Sequence, residues 1–171
     1  MKIKNITLSA MFLAVAYVLP FFTGQIPQIG QMLCPMHVPV LLCGYFCGPM
    51  LGAIVGCIAP ILRSVTIGMP IIFPSAVCMA FELATYGFVC GLLYRAFGRT
   101  KVAVVVSLVA AMIIGRIVWG IAMLACVSFD IGKFGFAAFL AGAVTNAIPG
   151  IVLQLVIIPL LVVALRKHTA N

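Results

Sequence analysis

Charge is what this sequence has least of. Only 7% of its 171 residues are Asp, Glu, Lys or Arg, where an average soluble domain carries roughly 25%. Acidic residues number 2, against 10 Lys and Arg. So few charges cannot solvate the surface of a globule, which excludes a soluble globular chain. An apolar content of 65% equally excludes disorder, which needs low hydrophobicity and high charge. Enzyme motifs are missing as well. There is no Walker A loop, GxGxxG or HExxH, and no nucleophile paired with a base, so neither ATP hydrolysis nor other catalysis is expected of this chain. Its 7 cysteines form no CxxC, and all but Cys34 lie in apolar stretches, where Cys packs as a small hydrophobe. Cys34 and His37 in CPMH offer two metal ligands, but no further His or carboxylate cluster completes a site. Neither a metal nor a cofactor is expected.

Long apolar runs are what the sequence does contain. At about 20 residues for each membrane-spanning helix, the length holds one domain of about six spans. The basic residues fall in clusters that flank those runs: Lys2 and Lys4, then Arg95, Arg99 and Lys101, then Arg166 and Lys167. That is the positive-inside pattern. It predicts both termini in the cytoplasm and contact with anionic lipid headgroups, not nucleic-acid binding.

The fold class expected is an all-α integral membrane protein of the plasma membrane. It is a single domain, 1–171, with spans near 5–23, 35–47, 50–63, 75–94, 102–127 and 136–165. Pro20 and Gly24 close the first span. Its lysines mimic a signal peptide, but no cleavage site follows the apolar run, so it reads as a retained helix. The second and third spans meet at Gly48-Pro49, each short for a full crossing, and form a helical hairpin held by its neighbours. Between Gly24 and Cys34 lies an uncharged loop with three Gln, and between Ser64 and Pro74 a loop broken by Gly68, Pro70 and Pro74. Pro149 and Pro159 predict kinks in the sixth span. Small residues recur four apart at Ala10 and Ala14, along Gly48, Gly52 and Gly56, at Gly87 and Gly91, and along Gly142, Asn146 and Gly150. Such rows let helices pack closely.

Charges inside spans need a reason, because each costs about 2.5–3.5 kcal/mol at a helix centre on insertion scales. Arg63, Glu82 and Arg116 are the residues in question. Counting 1.5 Å per residue from the outer helix ends, Glu82 lies about 10 Å deep, Arg116 about 16 Å and Asn146 about 15 Å. Three consecutive spans thus bring polar groups to a similar depth. Tyr86 shares the face of Glu82, Trp119 follows Arg116 by three residues, and Thr145 adds a hydroxyl beside Asn146. Two readings remain open: an ion pair that locks two helices, or a polar pocket with aromatic walls for a small molecule. Arg63 reads equally as a ligand contact or as a side chain reaching headgroups. Topology places no histidine near the carboxylates.

The order of these features resembles a known family. An AxxxA first helix, a Gly/Pro-rich loop, the stretch PVLLCGYFCGPMLGAIVGCIAPILRS and a fourth span closing on GLLYR are similar to the substrate-binding S component of energy-coupling-factor (ECF) vitamin transporters. The most specific part is the pattern at Gly44, Gly48, Pro49, Gly52, Ala53 and Gly56. The resemblance covers nearly the whole chain. It implies a six-helix membrane protein without ATPase activity that works with a transmembrane coupling subunit and two ATPase subunits. It also implies that Ala10 and Ala14 dock on the coupling subunit. A vitamin-like substrate would be held by Gln25, Gln28, Gln31, Arg63, Glu82, Tyr86, Arg116, Trp119 and Asn146. Arginine with a glutamate favours an anion or zwitterion. Pantothenate fits best, with niacin, a pyridoxine-like ring and a deazapurine base still open. The rival expectation is a stand-alone secondary transporter or channel with Glu82 as its coupling group.

Overall fold

The computed structural model describes residues 3–23, 35–98, 100–126 and 148–169. Among them are six α-helices: α1 (Ile3–Val18), α2 (His37–Cys47), α3 (Pro49–Ile67), α4 (Val77–Ala96), α5 (Lys101–Cys126) and α6 (Ile148–Thr169). Stretches containing α1, α3, α4 and α5 are long and apolar enough to cross a membrane. The expected positions Gln25, Gln28, Gln31, Thr145 and Asn146, and the first part of the sixth span, lie outside the described residues.

Local chemistry sets the boundaries. Pro20 opens a tight 3-10 turn, Leu19–Thr23, that ends α1 because proline cannot continue the ladder. Gly48, at φ 105°, separates α2 from α3, and Pro49 occupies the first helical position of α3, where its missing N–H is no loss. The α3 helix continues past Arg63 for another turn, beyond the end expected from sequence. It stops at Gly68, which takes φ 78° and donates to the Ser64 carbonyl at 2.9 Å, a left-handed cap. Thr100 Oγ1 accepts from the Ala103 N–H at 3.1 Å and caps α5.

Helix α2 is the centre of the bundle. Nine of its residues, from His37 to Cys47, are buried, and a helix apolar on every side must be enclosed. Helices α1, α3, α4 and α6 pack around it. The α3–α4 seam is the closest approach. A Cβ added at Gly52 would stand 2.7 Å from the Gly87 carbonyl oxygen and 2.8 Å from the Cα of Gly44, so only glycine fits. The glycine rows seen in sequence therefore face each other and serve helix packing. Facing outward instead are Ile54, Ile58 and Ile61 on α3, Ile113, Ile117 and Ile121 on α5, and Val152, Val156 and Leu160 on α6. An apolar belt of this extent suits lipid and not water.

Candidate functional site

Eleven residues make α2 only about 16 Å long, roughly half the hydrocarbon thickness of a bilayer. Its Cys47 end is tied to the end of α4 by Arg95, whose Nη2 donates to the Cys47 carbonyl at 3.2 Å. Its other end, His37, lies buried in the bundle beside the first half of α4. There it meets the acidic residue of that helix. His37 Nε2 lies 3.7 Å from Glu82 Oε1. From the far side, Arg116 Nη1 on α5 reaches the same oxygen at 3.0 Å. One carboxylate oxygen is thus bracketed by an imidazole and a guanidinium.

The expectation that no histidine stands near the carboxylates is overturned. The second span already reads as short for a full crossing, but how deep in the bundle a short helix begins is set by its neighbours, which spacing along the span does not reveal.

Burial is deep. Glu82 and His37 are each 2% exposed, Tyr86 is 1% exposed, and the Arg116 side chain is 15% exposed. The Tyr86 ring stands edge-on to the imidazole, with centroids 5.1 Å apart and planes at 73°. Gly115 on α5 makes room for that ring, since a Cβ there would press on Tyr86 Cε2 at 3.2 Å. One turn before Glu82, Cys78 packs against α5, its sulfur 3.9 Å from Met123 Sδ and 3.6 Å from Cys126 Sγ. That contact is sulfur packing between helices, as the apolar setting of the cysteines predicts.

Hydrogen bonding singles out the cluster. Among the described residues, the buried side-chain nitrogen and oxygen atoms that make no hydrogen bond all belong to it, including Nδ1 and Nε2 of His37 and Oε1 of Glu82. Buried polar atoms are normally satisfied, and leaving one so costs about 1–3 kcal/mol. These atoms converge between α2, α4 and α5, an arrangement with the chemistry to hydrogen-bond a polar group.

The remaining sequence candidates are placed as follows. Trp119 is half-buried on α5, three residues beyond Arg116. Arg63 is buried but turned toward α1: its Nη1 donates to the Tyr17 carbonyl at 3.3 Å, and its guanidinium lies 5.3 Å from the centre of the Phe21 ring. These contacts fasten the end of α3 to α1. His37 and Gly115 were not singled out from sequence as members of the site. For His37 the signal available was the shortness of the apolar run that follows it. Ala10 and Ala14 are both exposed on α1.

The model of a family described as "ECF transporter, substrate-specific component" matches residues 4–162. No curated protein and no solved structure matches the chain. The members are substrate-binding subunits of transporters for vitamin-type molecules rather than enzymes, act with a coupling module, and are multi-pass proteins of the plasma membrane. With the match spanning nearly its whole length, and with long apolar helices around a buried polar centre, this chain belongs to the family of ECF-transporter substrate-specific components.

Proposed function

We propose that the chain binds a small carboxylate-bearing, vitamin-like molecule between α2, α4 and α5 and carries it through the membrane as part of an ATP-driven complex. Arg116 is the principal charge partner of the ligand. Glu82 positions the guanidinium or accepts from a donor on the ligand, and Tyr86 and Trp119 supply aromatic walls. Gln25, Gln28, Gln31 and Asn146, which lie outside the described residues, are further candidate ligand contacts, while Arg63 holds the α3 end in place. The single observation that carries this reading is the buried Glu82–Arg116 pair at 3.0 Å beside an imidazole whose nitrogens make no hydrogen bond among the described residues. A pair serving only to lock two helices has no use for such a neighbour.

Pantothenate is the first substrate to test, because a carboxylate with amide and hydroxyl groups matches a guanidinium flanked by hydrogen-bonding side chains. In the membrane the chain forms a six-helix bundle with both termini in the cytoplasm, supported by the clustered basic residues. Ala10 and Ala14 dock on a transmembrane coupling subunit, and two ATPase subunits supply the energy. Family membership favours this coupled module over a stand-alone transporter.

The experiment is a titration read by fluorescence of Trp119, the sole tryptophan. Wild type and Arg116→Gln are titrated with pantothenate, nicotinate, pyridoxine and a deazapurine base. Wild type is expected to respond to a carboxylate, and Arg116→Gln to lose at least about tenfold in affinity, the equivalent of one charge-assisted hydrogen bond of about 1.5–3 kcal/mol. Unchanged affinity in a variant that elutes as a single folded species would reduce Glu82 and Arg116 to a helix lock.

A further inference from the structure

Glu82 Oε1 faces two possible charge partners, Arg116 Nη1 at 3.0 Å and His37 Nε2 at 3.7 Å. Glutamate and histidine are each 2% exposed. With a neutral imidazole, the cluster holds one positive and one negative charge and balances. A carboxylate ligand arriving at Arg116 upsets that balance. It sets a second anion beside Glu82 in a region of low dielectric, where Arg116 is already engaged. A proton is the smallest ion that restores neutrality, and a receptive group is in place. His37 has one ring nitrogen directed at the carboxylate, and neither nitrogen is hydrogen-bonded among the described residues. A neutral imidazole carries one N–H and one lone pair, and gains a second N–H on protonation.

We propose that each carboxylate ligand bound in this pocket brings one proton onto His37, which then takes over from Arg116 as the partner of Glu82 and releases the guanidinium to the ligand. The proton comes from the medium, no bond between heavy atoms changes, and the transported load is the anion together with its neutralising proton. This rests on the reading of Glu82 and Arg116 as an anion site.

The surroundings favour His37 as the acceptor. From α4 it faces Glu82 and Tyr86, with Cys78 a turn away, and from α5 Arg116 through Glu82. Helix α3 brings Arg63 and α1 brings Tyr17 to this end of the bundle, but the Arg63 guanidinium is directed at the Tyr17 carbonyl and the Phe21 ring. The titratable residues of α6 lie at its far end, beyond Leu165. Those of α2 itself, Cys43, Tyr45 and Cys47, begin nearly two turns along. Tyr86 holds the imidazole plane from the edge, so a small movement of Glu82 is enough to exchange one partner for the other.

The test is calorimetric titration of the full chain in detergent with pantothenate and nicotinate, at one pH, in buffers of different ionisation heat. The slope of observed enthalpy against buffer heat counts protons taken up. About one proton per ligand is expected in wild type, and affinity should fall about tenfold per pH unit above the range where the free site already holds the proton. His37→Gln keeps a donor and an acceptor but cannot take a proton. It should bind more weakly, with no proton uptake and no pH dependence. Binding without uptake in wild type overturns the inference and leaves the anion site standing. Uptake that persists in His37→Gln also overturns it, since the proton then goes elsewhere. If neither carboxylate binds wild type, the anion site itself fails and the inference with it. Should His37→Gln not fold, nitrogen NMR of wild type decides. The chain has 2 histidines, His37 and His168, and His168→Gln assigns them. An imidazolium signal for His37 in the saturated complex supports the exchange, and a neutral ring overturns it.

Discussion

The two ends of α2 treat polar groups in opposite ways. At the Cys47 end every buried polar side chain described has a use in the fold. Tyr45 donates to the Val104 carbonyl at 3.0 Å, lies 3.1 Å from Ser107 Oγ, and packs edge-to-face on Tyr94 at 5.0 Å. Arg95 closes that end on the Cys47 carbonyl. At the His37 end, eight residues from Tyr45, imidazole and carboxylate atoms are just as buried and make no hydrogen bond among the described residues. Apolar packing is similarly dense along the whole helix, so hydrophobic burial does not explain the contrast. Among the described residues, the fold satisfies its polar atoms at one end of α2 and leaves the imidazole nitrogens without a hydrogen bond at the other, the contrast on which the proposed ligand site rests.

The largest effect should come from the seam that holds the satisfied half together. Gly52→Leu drives a side chain against the Gly87 carbonyl and the Gly44 backbone, neither of which can rotate away. Overpacking costs about 1–3 kcal/mol where side chains can adjust and more where backbone is struck. A broadened elution profile in detergent and a thermal midpoint lowered by many degrees are expected. A midpoint like that of wild type would show that α3 and α4 separate without penalty, and would dissolve the contrast between a rigid half and a receptive one.

How much of this is legible in the sequence follows from helix geometry. Glu82 and Arg116 lie on long helices, so a rise of 1.5 Å per residue brings them to comparable depth, and the structure has them in contact. The glycine rows at Gly52 and Gly87 announce close packing by spacing alone, though not which row meets which. His37 is illegible by the same arithmetic, because its depth depends on where a short buried helix is hung, and that is fixed by Arg95 and the glycine seam far along the chain. Arg63 is a case of two outlets for one charge. Its position near the end of α3 is plain, but the backbone carbonyl that claims it belongs to α1 and the aromatic ring to the turn that follows α1, beyond the reach of local pattern.

A moderate effect is expected from Tyr45→Phe. It removes the hydroxyl that donates to Val104 and leaves Ser107 with its own bond to the same carbonyl, at 3.1 Å. One net hydrogen bond is worth about 0.5–1.5 kcal/mol, so the thermal midpoint should fall by a few degrees while pantothenate affinity stays as in wild type. Lost affinity with an unchanged midpoint would move the ligand site into the Tyr45 half and reverse the division drawn between the two ends.

The smallest effect on the isolated protein should come from α1, which lies outside both halves. Its buried residues are few, Ser9 and Ala16 within the helix. Phe12 stacks on Phe46 of α2 with centroids 6.4 Å apart. On its exposed surface are Ala10 and Ala14, with Ile3, Met11, Val15 and Val18 around them. Two alanines four residues apart leave a shallow, smooth strip on which another helix can lie close, and the surrounding apolar side chains give that helix something to pack against. Ala10→Trp together with Ala14→Trp fills the strip without touching the Glu82 cluster. Surface changes away from packing usually stay within about 0.5 kcal/mol, so the midpoint and the pantothenate titration should both match wild type. Co-purification with the coupling and ATPase subunits should nevertheless be lost, because two indoles hold the backbones apart. If the complex still forms, docking uses another face and the exposed alanines face only lipid. If the complex is lost and binding is lost with it, α1 is part of the receptive half after all, coupled to it through Arg63.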